Sequence, residues 1–244
     1  MDNKIHTGMN RTGMKTSPVH AAELLEVREL QTTTPAPELD AVAIRAQYLA
    51  EAEPVGSMPP PPTLRGMAGT AMKALTGKTM HVLLDKMGER AAFERTGTRL
   101  YDMMLQKVAV APGLPAGMTI EGVQQIRDEE HAHFQLLAAA IEGLGADPTV
   151  MTPCADVTGV QGMGLVQAMG DPRLTISQAL STLLAAEVID NASWELLIEL
   201  AQQFGQDALV EQFTEALAAE QRHEATVRQW MSAALAEEAG VSGV

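Results

Sequence analysis

The chain has 244 residues, 46% of them hydrophobic, enough to bury one substantial core and leave a few tens of residues for arms or loops. Its formal net charge of −14 and pI near 4.8 weigh against nucleic acid, which needs a clustered basic surface, and make cations the more natural partners. The single cysteine, Cys154, excludes an internal disulfide framework and any all-cysteine metal site built from one chain.

Aromatic residues are scarce (two Trp, two Tyr, four Phe) while Ala, Leu and Met abound, a bias toward helix-on-helix packing and an all-α fold. The N-terminal MDNKIHTGMNRTGMK has no apolar core of a signal peptide, and no window reaches the roughly 18 apolar residues that span a bilayer. A soluble, cytoplasmic protein without membrane partners is expected.

Residues 1–78 are punctuated by Pro35, Pro37, Pro54 and the run Pro59 to Pro62, which breaks long helices and marks a Pro-rich N-terminal arm. Within it, Pro18 to Leu30 and Pro37 to Glu53 each have helical potential; Leu39, Val42, Ile44 and Leu49 are the apolar positions of the second. These short helices are expected to dock on the rest of the fold or on a neighbouring subunit.

Residues 79–244 read as the main domain. Helical spacing without proline from Thr79 to Ala111, stopped by Pro112-Gly113, predicts a long first helix. Thr119 is placed to cap a second, which carries Ile120, Val123, Ile126, Phe134, Leu137 and Ile141 before Gly143 and Gly145. A Gly- and Pro-rich stretch over 146–174 follows, with one short helix expected around Val160 to Met169. A third helix starts at Thr175 or Ser177 and runs to Phe204-Gly205, and Asp207 is expected to cap a fourth that reaches about Glu238. Connections that run short, long, short describe a four-helix bundle with one long crossover between helices two and three.

Helix two contains Glu130 and His133, and helix four Glu220 and His223, each pair at i, i+3 on one helix face. Glu94 precedes Glu130 on helix one and Glu187 precedes Glu220 on helix three, so Glu…Glu-x-x-His occurs twice, in two halves that look like a pseudo-repeat. Glu187 lies within Leu183-Leu184-Ala185-Ala186 and Val188-Ile189, and Glu94 follows Ala91-Ala92-Phe93. A carboxylate in such surroundings costs several kcal/mol unless something neutralises it. Four carboxylates and two imidazoles would balance two divalent cations, and mixed N/O ligation suits iron or manganese.

The pattern over about 79–238 resembles the ferritin-like superfamily, with its bacterioferritin, rubrerythrin and manganese catalase branches. The resemblance implies Glu94 and Glu187 as terminal carboxylates, Glu130 and Glu220 as metal-bridging carboxylates, and His133 and His223 as terminal imidazoles. It implies two Fe ions, or alternatively two Mn ions, acting with O2 or peroxide in Fe(II) oxidation, peroxide reduction or, with manganese, catalase chemistry. A metal-free bundle kept as a structural or interaction module, with Glu94 and Glu187 paired to Arg90, Arg95 or Arg222, is the remaining alternative. The sequence lacks the Cys-x-x-Cys pairs of rubrerythrin-type electron-transfer domains and a clear fifth helix, so no storage cage is expected, and a homo-oligomer, with a dimer favoured, is the expected assembly.

Tyr101 and Trp194, seven residues after Glu94 and Glu187, either act as transient electron donors near the metals or fill core. Asp190 is read as a further ligand or as a hydrogen-bond partner of a ligating histidine. Asp102 and Glu129 lie off the ligand face and are expected to be solvated or paired with Arg127 or Arg99, while His131, His81, His20 and His6 fall outside the repeat.

Overall fold

The computed structural model describes residues 38–60 and 80–241, which form six helices and, among them, no strand. They are α1 (Glu38–Glu51), α2 (Met80–Val110), α3 (Ile120–Gly143), α4 (Pro153–Gly170), α5 (Ile176–Gln203) and α6 (Asp207–Glu238). None of them is long and apolar enough to cross a membrane.

α1 belongs to one compact unit, which ends at Pro54, and the chain from Val55 onward to another. The helix occupies most of the expected stretch and stops ahead of Pro54; Val42, Ile44 and Leu49 on it are exposed. The helix expected at Pro18 to Leu30 lies outside the described residues.

Local signals set the boundaries of the bundle helices. Thr119 caps α3 by accepting from the backbone N–H of Gly122, and Thr175 and Gln178 form a reciprocal capping box at the start of α5. α6 begins differently from expectation: Gln206 stands at the cap without a side-chain bond, and Asp207 is already in the first turn. There its charge still favours the positive end of the helix dipole. The crossover helix is also longer than expected, because Thr152 accepts from Ala155 N–H and Pro153 follows in the first turn, a strong start signal. Of the interior glycines that disguise it as loop, Gly162 faces Thr96 of α2, where an added Cβ would approach to 3.4 Å, while Gly159 and Gly164 have nothing within 4 Å.

Two apolar clusters fill the bundle. One joins Leu100 and Met104 of α2, Val123 and Ile126 of α3, Leu180 and Leu183 of α5, and Val227 and Trp230 of α6. The other joins Leu83 and Met87 of α2, Leu137 of α3, Trp194 and Leu197 of α5, and Phe213 of α6. The first takes the later half of α2 and α6 but the earlier half of α3 and α5, and the second takes the reverse. α2 and α6 therefore run parallel to each other and antiparallel to α3 and α5. The parallel pair α3 and α5 needs a connection spanning a helix length, about 36 Å for 24 residues, which the α4 crossover supplies. In every helix the Glu and His positions fall between the two clusters.

Candidate metal centre

That middle layer is polar and buried. α2 contributes Arg90 and Glu94, α3 Glu130 and His133, α5 Glu187 and Asp190, and α6 Glu220 and His223, all of them buried. The helix spacing that puts a Leu or Met toward the axis one turn above or below puts these groups there too. Asn191 ties the layer across α5 and α6, donating to the carbonyls of Glu187 and Glu220 at 3.0 and 3.2 Å.

The structure brings all six Glu and His candidates together. His223 Nδ1 lies 3.0 Å from Glu220 Oε2, 3.7 Å from Glu130 Oε1 and 4.0 Å from Glu187 Oε2. His133 Nδ1 lies 2.5 Å from Glu220 Oε1 and 3.8 Å from Glu94 Oε2. The two rings stand 6.1 Å apart with Glu220 reaching both. Glu130 rests against the backbone of α2 at Gly97, where a Cβ would come within 1.9 Å of its Oε2. With Glu130 in this position, only a residue without a side chain fits there.

Electrostatics make the layer expensive as it stands. Burial, followed by neighbouring carboxylates, pushes Glu94 and Glu130 well above the ordinary carboxyl range against the pull of Arg90. Glu187 moves the same way, by burial and then the charge of Glu220. Asp190 is raised by burial to about 7 despite Arg90. Burial also opposes the charge on Glu220, but its contacts with His133 and His223 win and hold it at about 2. His223 is desolvated, yet Glu220 raises it to about 9.

A cation fits this donor set. Glu94 Oε2, Glu130 Oε2 and Glu187 Oε2 are buried with no hydrogen-bond donor, so each keeps a lone pair that nothing in the protein satisfies. Single donor atoms from Glu130, Glu187, Glu220 and His223 all lie within 4.8 Å of one another, as do those from Glu94, His133 and Glu220, and those from Glu94, Glu130, Asp190 and Glu220. With Asp190 matched by Arg90, the four glutamates carry the charge that two divalent ions would cancel.

The aromatic candidates both touch the layer, but across the repeat. Tyr101, buried and held as a neutral phenol by desolvation and the charge of Glu187, donates to Glu187 Oε1. Trp194 is fully buried and stands edge-on to His133, ring centroids 5.9 Å apart, and its Nε1 finds no acceptor.

Three residues make contacts beyond those that the spacing foretold. Arg90 Nε bonds Glu94 Oε1 at 3.1 Å and its Nη2 lies 2.9 Å from Asp190 Oδ1, so Asp190 faces the guanidinium. The i, i+4 spacing of Arg90 and Glu94 was a visible signal. Glu129, expected to pair with Arg127 or Arg99 or to be solvated, instead lies 2.6 Å from His223 Nε2. A turn of about 100° away from the ligand face of α3 points it at α6. The third is Gly97. Asp102 does pair with Arg127, at 2.8 Å. His131 lies beside Phe134 and Gln135, His81 is exposed, and His6 and His20 lie outside the described residues.

Comparison with known families agrees with the helix order and the buried layer, since a family model described as a ferritin-like domain matches residues 90–233. The chain belongs to the ferritin-like family. No curated protein and no solved structure gives a significant match. The match begins at Arg90 and takes in all eight of these polar residues of the middle layer.

Proposed function

We propose that this ferritin-like protein is a di-iron oxidoreductase: its middle layer holds two metal ions, and it couples them to O2 or peroxide in Fe(II) oxidation or peroxide reduction. The observation that carries this reading is the set of buried glutamate oxygens without donors, aimed at two imidazoles whose Nδ1 atoms face the same space.

The assignment of roles follows the contacts. Glu220, with one oxygen toward each imidazole, and Glu130, lying between His223 and the Gly97 backbone, would be shared by the two ions. Glu94 and Glu187 are terminal, because each has one oxygen engaged by a neighbour, Arg90 or Tyr101, and one left free. His133 and His223 complete the set. When bound, the two ions would supply a pair of electrons to the oxidant.

The chain's own residues prepare that event. The apolar layers on either side exclude water, which strengthens the charges between them. Tyr101 keeps its proton on its hydroxyl against Glu187 Oε1, and its contact with the layer, like that of Trp194 beside His133, supports a role for both as electron donors to the centre. Nitrogen and carboxylate donors without thiolate suit iron, with manganese as the alternative occupant.

The test is an anaerobic Fe(II) titration of metal-free protein, followed by O2 or by peroxide. Binding of two ions per chain and their oxidation within the protein is the expected result. Glu130→Ala and Glu220→Ala should each lose the second ion while helical circular dichroism is retained. Full two-ion binding in both variants would refute the ligand assignment; two-ion binding without oxidation by either oxidant would refute the redox role.

A further inference from the structure

The two halves of the centre share a motif but differ in residues outside it. In one half the free-standing carboxylate, Glu187, is held by the neutral hydroxyl of Tyr101, and the outer nitrogen of His223 faces the Glu129 carboxylate at 2.6 Å. In the other half Glu94 is held by the guanidinium of Arg90 at 3.1 Å, and the residue that matches Glu129, one before Glu220, is Ala219.

These differences act in one direction. A carboxylate on the outer nitrogen of an imidazole fixes its tautomer and raises its basicity toward a metal. A guanidinium, always charged, draws electron density from Glu94 and repels an incoming cation. Asp190 faces that guanidinium at 2.9 Å, which keeps Arg90 in place and takes Asp190 out of competition as a ligand. The converging donors differ in kind too: Glu130, Glu187, Glu220 and His223 meet on one side, whereas on the other Glu94 and Glu220 meet either His133 or Glu130 and the Arg90-paired Asp190.

We propose that Arg90 and Glu129 impose an order of filling on the centre: the Glu130–Glu187–Glu220–His223 set takes the first divalent cation, and the set containing Glu94 and His133 takes the second more weakly. The inference rests on the reading that the layer holds two ions. It makes Arg90 and Glu129 positioning residues, neither of them a ligand.

Co(II) added to the full-length, metal-free protein tests it, with visible absorption and calorimetry as readouts and far-ultraviolet circular dichroism as the check on folding. Wild type should bind two ions with affinities at least about ten-fold apart, the effect size of such outer partners. Glu94→Ala should keep the tighter event and lose the weaker, and Glu187→Ala the reverse. Glu129→Gln, at the rim, should weaken the tighter event by about ten- to a hundred-fold and spare the other. Arg90→Met with Asp190→Asn, which removes the ion pair as a unit, should narrow the gap by tightening the weaker event. Two equal affinities in wild type, or loss of the tighter event in Glu94→Ala, would overturn the order and leave the two-ion reading intact. Absence of any Co(II) binding would overturn both.

Discussion

The apolar layers and the polar layer of this bundle occupy the same helices at the same spacing, yet they do opposite things to stability. Leu100, Leu180 and Leu183 are fully buried and gain from leaving water. Glu94 and Glu220 are equally buried and lose by it. One helix periodicity therefore carries both the folding energy and the functional cost, and the two layers are separated along the axis.

The largest expected effect lies in the apolar layers. Leu180→Ala, at a fully buried position packed by α2, α3 and α6, should cost about 2–5 kcal/mol. The loss should be similar with and without metal, read from urea denaturation in both states. A mutation confined to packing that changed metal content first would break the separation of layers.

Metal comes next in size and acts only on the polar layer. An ion present at a hundred-fold excess over its dissociation constant adds about 2.7 kcal/mol per independent site. Thermal melts should rise on addition of Fe(II) under argon or of Co(II) in air. Unchanged melting at saturating metal would contradict the placement of an ion among these carboxylates.

A pH series sharpens the comparison further. Glu94, Glu130 and Glu187 are pushed above their ordinary range, Asp190 to about 7 and His223 to about 9. Each binds a proton more readily folded than unfolded. The metal-free protein should therefore lose stability as pH rises from the ordinary carboxyl range toward 9, by about 1.4 kcal/mol per pH unit for each extra proton held. Glu220, held at about 2, acts oppositely, and its contribution is lost only as pH falls below the ordinary carboxyl range. Metal displaces these protons, so its binding should tighten as pH rises. A metal-free melting temperature that climbs between pH 5.5 and 8.5 would contradict this account.

Much of this was legible in the residues. Bundle helices and crossover followed from apolar spacing and from Pro112, Gly143 and Gly205, and the six Glu and His candidates followed from a doubled motif. α4 was underestimated because Gly159, Gly162 and Gly164 read as loop, although the Thr152-Pro153 start was present. Glu129 was misplaced for a different reason: spacing on α3 tells which face a residue occupies, while its meeting with His223 depends on how α6 is rotated and how far it slides. Arg90 was seen as a partner for Glu94, but its contact with Asp190 joins α2 to α5, a relation no local pattern carries.

Gly97 offers the smallest expected change in stability and the cleanest split between the layers. On an ordinary helix, replacing an interior glycine with alanine gains about 1 kcal/mol. Here the new methyl would stand where Glu130 Oε2 now lies, 1.9 Å from the ideal Cβ. The carboxyl group has to swing away, and in the metal-free protein that movement relieves crowding among the buried carboxyls as well as costing contacts, so folding should change by no more than about 1 kcal/mol. On the proposed bridging role of Glu130, metal binding should not be spared, since a carboxylate displaced by more than an ångström would no longer reach both sides. Gly97→Ala should therefore keep near wild-type denaturation in chelator while losing at least about ten-fold in affinity for the second ion. A variant that bound two ions normally would mean that Glu130 has another way to the centre, and that the open backbone at Gly97 serves helix packing alone.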